Sequence, residues 1–161
     1  MLNGYYRRPD LTREAFYDDW YVTGDLGYLA EGELYVTGRK KDLIIVGGKN
    51  IYPQDLENLA CEIEGVHPGR VVAFGDYNEV LGTEEIVLIA EVDDFYSQPE
   101  STLDELKNEI RKYVTQGSDI ALRNVWLVEP RWLLKTSSGK IARTANREKY
   151  QRAIRGELDA S

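Results

Sequence analysis

The chain has 161 residues, 42% of them hydrophobic, and carries a formal net charge of −8. That content is enough for one real core, so the length suggests one domain plus an appendage. The negative balance argues against broad binding to nucleic acid or to anionic membranes.

One cysteine excludes an internal disulfide framework and fits a reducing compartment. Cys61 falls within an apolar helical pattern and reads as a small core residue rather than a nucleophile. His67 is the only histidine and sits beside Pro68 and Gly69, so neither zinc-ligand spacing nor a histidine triad is available, and no metal site is expected. There is no run of roughly 18 apolar residues and no signal-peptide pattern. A cytoplasmic protein that does not enter the membrane is expected.

Taken in chain order, residues 1–37 begin with dense aromatics: Tyr5, Tyr6, Phe16, Tyr17, Trp20 and Tyr21. They show no clear helix or strand of their own, and aromatic groups of this size need a surface to bury against. Leu26 to Ala30 and Glu33 to Thr37 read as two short strands joined by a turn at Glu31-Gly32, with Gly38 closing the unit.

Residues 42–46 then read as a strand and Gly47-Gly48 as a tight reversal. Pro53 opens a helix over 53–64, with Leu56, Leu59, Ala60 and Ile63 on one face and Gly65 as its C-cap. Arg70 to Phe74 and Ile86 to Val92 are β-rich. Pro99 to Val114 reads as a helix with Leu103, Leu106, Ile110 and Tyr113 on one side, ended by Gly117. Val125 to Val128 is a strand stopped by Pro130, and Ala142 to Ile154 a basic helix. This order predicts an α/β or α+β layer fold around a small sheet.

Charge is unevenly spread. Residues 91–109 are acidic apart from Lys107, and residues 131–155 are basic apart from Glu148. Two solvated helix faces would explain this; so would a basic segment that meets phosphate.

Thr136-Ser137-Ser138-Gly139-Lys140 allows close backbone approach and projects a cation from a bend. It is not a Walker loop, because no glycine stands five residues before Gly139 and Ile141 occupies the Ser/Thr position. A lone Gly-Lys pair says little. Three segments in order say more: Thr23-Gly24-Asp25; then Gly38-Arg39-x-Lys41-Asp42 with Gly48-x-x-Ile51-x-Pro53-x-x-Leu56-Glu57; then Ser138-Gly139-Lys140-x-x-Arg143.

With these motifs the chain resembles the adenylate-forming enzymes: acyl-CoA synthetases, fatty acyl-AMP ligases, peptide-synthetase adenylation domains and luciferases. The resemblance covers nearly the whole chain. It implies an α+β fold, a small C-terminal domain with a short β-hairpin and a three-stranded sheet flanked by helices. Residues 1–38 would be a remnant of the large N-terminal adenylation domain and 39–161 the small mobile domain. The large domain, with its phosphate loop, would be the chain's main partner.

The implied roles follow residue by residue. Asp25 would accept from the ribose hydroxyls of ATP or acyl-AMP, and Arg39 would contact the same ribose. Lys41 would be the hinge. Gly47, Gly48 and Lys49 would form the loop of the thiol step. Lys140 would be the catalytic lysine of adenylation. ATP with Mg2+ would be held mainly by the large domain, and CoA or phosphopantetheine would be the acyl acceptor. The fragment alone would be inactive.

Two departures from the family pattern stand out. Leu134 precedes Lys135-Thr136 where proline is usual, which would loosen the loop. Thr-Ala-Asn-Arg follows Arg143 in place of the Arg-Glu-Leu-Arg of many CoA ligases. That tail, with Tyr52 to Glu57 and Pro68 to Val71, looks closer to fatty acyl-AMP ligases, whose acceptor is an acidic acyl carrier protein. A peptide-synthetase fragment and a non-catalytic module docking carrier proteins are the alternatives.

Overall fold

A computed structural model describes residues 4–18 and 20–157. The chain divides into two compact units, Met1–Lys41 and Asp42–Ser161.

The first unit holds helix α1 (Pro9–Glu14), strands β1 (Phe16–Tyr17) and β2 (Trp20–Tyr21), and the hairpin β3 (Asp25–Ala30) with β4 (Glu33–Arg39). The aromatic stretch read as structureless therefore contains α1 and a short β1–β2 ladder, in which Phe16 meets Tyr21 edge to face. Two-residue strands carry too little period to be seen in a sequence. Tight turning at Glu31-Gly32 is as expected, with both residues at positive φ. Gly38 does not end the unit: β4 runs on to Arg39, which pairs with Asp25.

A 3-10 turn, Lys40–Asp42, precedes the second unit. The strand expected over 42–46 is thereby shortened to β5 (Ile44–Val46), which pairs with β6 (Lys49–Ile51). Then follow α2 (Pro53–Cys61), β7 (Val66–Asn78), β8 (Thr83–Val92), α3 (Glu100–Ser118), β9 (Leu122–Val128) and α4 (Arg143–Ile154). The sheet order is β7-β8-β9, antiparallel on the β7 side and parallel on the β9 side. A parallel pair needs a long crossover, which α3 supplies.

Central β8 is buried from Ile86 to Val92, which is why its sequence is nearly continuous hydrophobic. Alternation still sorts its side chains. Ile86, Leu88, Ala90 and Val92 pack with Leu56, Ala60, Ile110 and Val114 of α2 and α3. Val87 and Ile89 face the other way, toward Leu133 and Tyr150. Helices on both faces of a small mixed sheet give the expected α+β architecture. Each fully buried aliphatic side chain contributes about 1.5–3 kcal/mol.

Three details differ from the sequence reading. Helix α2 ends at Cys61, and Gly65, at φ +91°, turns the chain into β7 instead of capping the helix. Helix α3 runs through Gly117 and is capped by Asp119 in the left-handed region. Gly117 serves packing: a Cβ there would lie 2.9 Å from the Leu59 methyl groups. Val114, not Tyr113, completes the buried stripe, and the Tyr113 hydroxyl instead donates to Glu62 at 2.5 Å.

Candidate functional site

The candidate residues lie in both units, and each set is built locally. In the first unit, Thr23-Gly24-Asp25 forms a small turn. The Asp25 N–H donates to Thr23 Oγ1 at 3.1 Å, and Gly24 sits at φ +73°, a value that favours glycine. The Gly24 carbonyl accepts from the Lys40 N–H at 2.9 Å, closing the β3–β4 ladder. Asp25 and Arg39 are cross-strand partners, and Arg39 Nε donates to Asp25 Oδ1 at 3.1 Å. The structure thus brings together the two residues expected at the ribose. Among the described residues Asp25 Oδ2 has no partner, so the carboxylate keeps acceptor capacity. Arg39, Lys40 and Lys41 line one side of a cleft of about 660 Å³, with Tyr5 and Tyr21 on its wall.

In the second unit, Gly47 and Gly48 have φ of +55° and +80°, the signature of a two-residue I′ hairpin turn between Val46 and Lys49. The hairpin is tied down along β5 and at the turn itself. Ile45 N–H donates to Glu84 Oε2 at 2.7 Å and Gly47 N–H to Thr83 Oγ1 at 3.1 Å. Gly75 makes this possible, because a Cβ there would lie 2.5 Å from Glu84 Cδ. The Glu84 side chain crosses β7 where Gly75 leaves room. Lys49 is exposed.

Lys140 stands near the tip of a second small hairpin. Leu134 and Ala142 form its base, with Ala142 N–H donating to the Leu134 carbonyl at 3.0 Å. Lys135 bridges Ile141 above that pair. Thr136 N–H then donates to the Lys140 carbonyl at 2.8 Å and Gly139 N–H to the Thr136 carbonyl at 2.9 Å. With Gly139 at φ +81°, this is a four-residue turn closed by a glycine bulge. Residues 134–140 are exposed, Lys140 among them. Its amine faces solvent and is available to a charged ligand.

Arg143, of the same motif, does something else. Its Nε donates to the Ala73 carbonyl at 2.9 Å, Nη1 to Asp42 Oδ2 at 3.1 Å and Nη2 to Glu57 Oε1 at 2.6 Å. Glu57 also accepts from Ala73 N–H at 2.8 Å. So Asp42, Glu57 and Arg143, read as motif letters, form an internal knot that joins the start of the unit to α2, β7 and α4. Lys149 is likewise occupied. Its Nζ donates to the Trp132 carbonyl at 2.6 Å and stacks 4.0 Å from the Trp132 ring centroid. Desolvation pushes its ammonium below the usual lysine range, opposed by Glu129 and Glu91. The basic segment 131–155 is therefore only partly a free cationic surface.

Sequence reasoning missed the residues that hold the hairpins: Thr83, Glu84, Glu91 and Asn146. Glu91, 2% exposed, accepts from Leu133 N–H at 2.8 Å. Its place within the apolar run Ile86–Val92 was the one available signal. No group of three or more His, Cys, Asp or Glu among the described residues is placed to hold a metal ion. No described helix is long and apolar enough to cross a membrane.

Known proteins are similar to this chain in sequence and in fold. No protein-family model matches the chain. It is 37% identical to the medium-chain-fatty-acid–acyl-carrier-protein ligase JamA of Moorena producens, over 99% of this chain and 27% of that protein. Among solved structures, the fatty acyl-adenylate ligases from E. coli and L. pneumophila match with a TM-score of 0.79 at 34% identity, over 95% of this chain and 26% of theirs. McyG A-PCP complexed with phenylalanyl-adenylate matches with a TM-score of 0.82 at 33% identity, over 94% of this chain and 27% of that one. The relatives that match along this chain are adenylate-forming ligases, a family of acyl-CoA and acyl-carrier-protein ligases, acyl-AMP ligases and peptide-synthetase adenylation domains. Within that ATP-dependent family it corresponds to the C-terminal portion, and it spans about a quarter of the length of the relatives it matches.

Proposed function

We propose that this chain is the C-terminal part of a ligase that activates a fatty carboxylic acid with ATP and passes the acyl group to a thiol. The observation that carries this reading is the Lys140 hairpin, a secured base with an exposed ammonium near its tip. In this reading residues 1–38 end the large adenylation domain and 39–161 are the small mobile domain. Lys41, where the two compact units change over, is the hinge.

In the first step a carboxylate oxygen of the acid attacks the α-phosphorus of ATP, the bond to the bridging oxygen breaks, and pyrophosphate leaves. Two anions must approach, and charge accumulates on the phosphoryl oxygens. The Lys140 ammonium offsets that charge in place, and such groups are typically worth a hundredfold or more in rate. Asp25 accepts from the ribose hydroxyls, and Arg39 holds the Asp25 carboxylate and faces the same sugar. Magnesium travels with the nucleotide, and we assign its ligands to the large domain.

In the second step a thiolate attacks the acyl carbonyl and AMP leaves. Rotation about Lys41 withdraws Lys140 and presents the Gly47–Lys49 turn. Two features suit that turn to the thiol step. Its glycines carry no side chain to obstruct an approaching chain, and Thr83 and Glu84 anchor it. We take the acceptor to be the phosphopantetheine arm of an acyl carrier protein. The carrier-protein ligase activity for which JamA is named supports that choice, as do the exposed cations Arg131, Lys135, Arg152 and Arg155, which suit an acidic partner. A cytoplasmic location accords with the lone unpaired Cys61.

The test is mass spectrometry of products from the full-length protein supplied with fatty acids, ATP and either CoA or a carrier protein. Acyl-AMP and acyl-carrier protein are expected without acyl-CoA. No acyl-AMP with any acid offered would defeat the assignment.

A further inference from the structure

We propose that Asn146 is the positioning residue for Lys140: its buried amide locks the two legs of the Lys140 hairpin together. The inference rests on the adenylation role given to Lys140 and adds the device that aims it.

Asn146 lies on α4 with 0% exposure, one of two buried polar side chains among the described residues. All three of its hydrogen bonds go to main chain at the foot of the hairpin. Oδ1 accepts from Leu134 N–H at 2.8 Å, and Nδ2 donates to the Leu134 carbonyl at 2.9 Å. Nδ2 also donates to the Ala142 carbonyl at 3.0 Å. Leu134 and Ala142 are the facing residues of the two legs. One primary amide thus satisfies both polar groups of Leu134 and reaches the opposite leg.

The preceding residues are held in the same manner. Glu91 takes the Leu133 N–H and Lys149 the Trp132 carbonyl. Trp132 to Leu134 therefore form a strap with no strand partner, pinned by side chains from β8 and α4. Above the strap the hairpin is six residues of exposed chain with Lys140 near its end. A small rotation at the foot would displace the amine, and a misplacement of about 1 Å can cost on the order of a hundredfold in rate.

Leu134 takes on a purpose in this light. Proline at this place would stiffen the chain through a fixed φ but would have no N–H to donate. Here the N–H is present and Asn146 uses it. The looseness expected from Leu134 is taken up by a hydrogen-bonded clamp. Neither aspartate nor leucine can replace Asn146: aspartate would face two carbonyl oxygens, and leucine would leave the Leu134 N–H without its side-chain partner.

The experiment uses the full-length enzyme and separates the half-reactions. Asn146→Leu, Lys140→Ala and the pair Asn146→Leu with Leu134→Pro are assayed for pyrophosphate exchange and for thiol transfer from supplied acyl-AMP, with thermal unfolding alongside. For Asn146→Leu the expected result is a fall in the adenylation kcat on the order of a hundredfold. The KM for ATP and thiol transfer should be unchanged. Adding Leu134→Pro should recover much of the lost rate, because it removes the orphaned donor and restores stiffness. Equal loss of both half-reactions would mean that Asn146 only supports the fold, and undiminished adenylation beside an inactive Lys140→Ala would likewise overturn the proposal. Full adenylation by Lys140→Ala would overturn the role of Lys140 itself, and the clamp's purpose with it. If Asn146→Leu does not fold, Asn146→Ala decides: it removes all three clamp bonds without adding bulk at the site and keeps a strong helix former in α4. Selective loss of adenylation supports the proposal, and loss of both steps or of neither refutes it.

Discussion

Arg143 Nη2 meets Glu57 Oε1 at 2.6 Å across a sequence separation of 86 residues, both side chains only 16% exposed. The same guanidinium holds Asp42 at 3.1 Å. A carboxylate pair this far from water is tolerable only while the cation stands between its members. We expect Arg143→Met to destabilise the chain by about 3 kcal/mol. Urea unfolding should show it as a lower midpoint with an unchanged slope. A loss below about 0.5 kcal/mol would show the knot to be dispensable.

Lys140→Ala leaves the fold alone, since the side chain is exposed. In the full-length enzyme acyl-AMP formation should drop by a hundredfold or more, roughly the worth of one preorganised charge-stabilising group. Thiol transfer from supplied acyl-AMP should persist. A parallel loss of both steps would contradict a role confined to adenylation.

Lys41→Pro should give the reverse pattern. The residue lies in the 3-10 turn Lys40–Asp42, at the changeover between the compact units. Proline fixes φ near −65° and so blocks a torsional hinge. Adenylation is expected to continue while thioester output stops, and normal thioester yield would refute the hinge.

The 161-residue chain assayed alone should show only background pyrophosphate exchange. It spans 27% of its JamA relative, and of the groups proposed to meet the nucleotide it carries Asp25, Arg39 and Lys140. Robust exchange by the isolated chain would defeat the fragment reading.

Lys149 offers a test by pH. Desolvation depresses its folded-state pKa below the ordinary 10.5. Below the folded value both folded and unfolded forms are protonated, and the burial cost is fully present. As pH rises through the folded value toward 10.5, the folded form releases its proton first and that cost disappears. Stability relative to Lys149→Met should therefore climb with alkaline pH, measured as the difference between paired urea curves. A flat or falling difference would show that the ammonium is not penalised.

Much of the fold could be read from the amino acids because its signals are local. The Glu31-Gly32 and Gly47-Gly48 turns follow from glycine's access to positive φ, and the buried faces of α2 and α3 follow from helical period. Asp25, Arg39 and Lys140 are candidates that motif spacing alone proposes, without any knowledge of the fold. Residues 9–21 were missed because their elements are too short to show a period.

What sequence could not reveal is which charged and polar residues face solvent and which are spent inside. Lys140 and Arg143 stand three residues apart, yet one projects from a hairpin and the other knots Asp42, Glu57 and Ala73 together. Gly117 looks like a helix stop and is a seat for Leu59. Asn146 looks like an ordinary helix residue and clamps Leu134. Local geometry depends on neighbours in the chain, whereas these partnerships join residues brought close by packing, so they exist only once the sheet and its helices have closed.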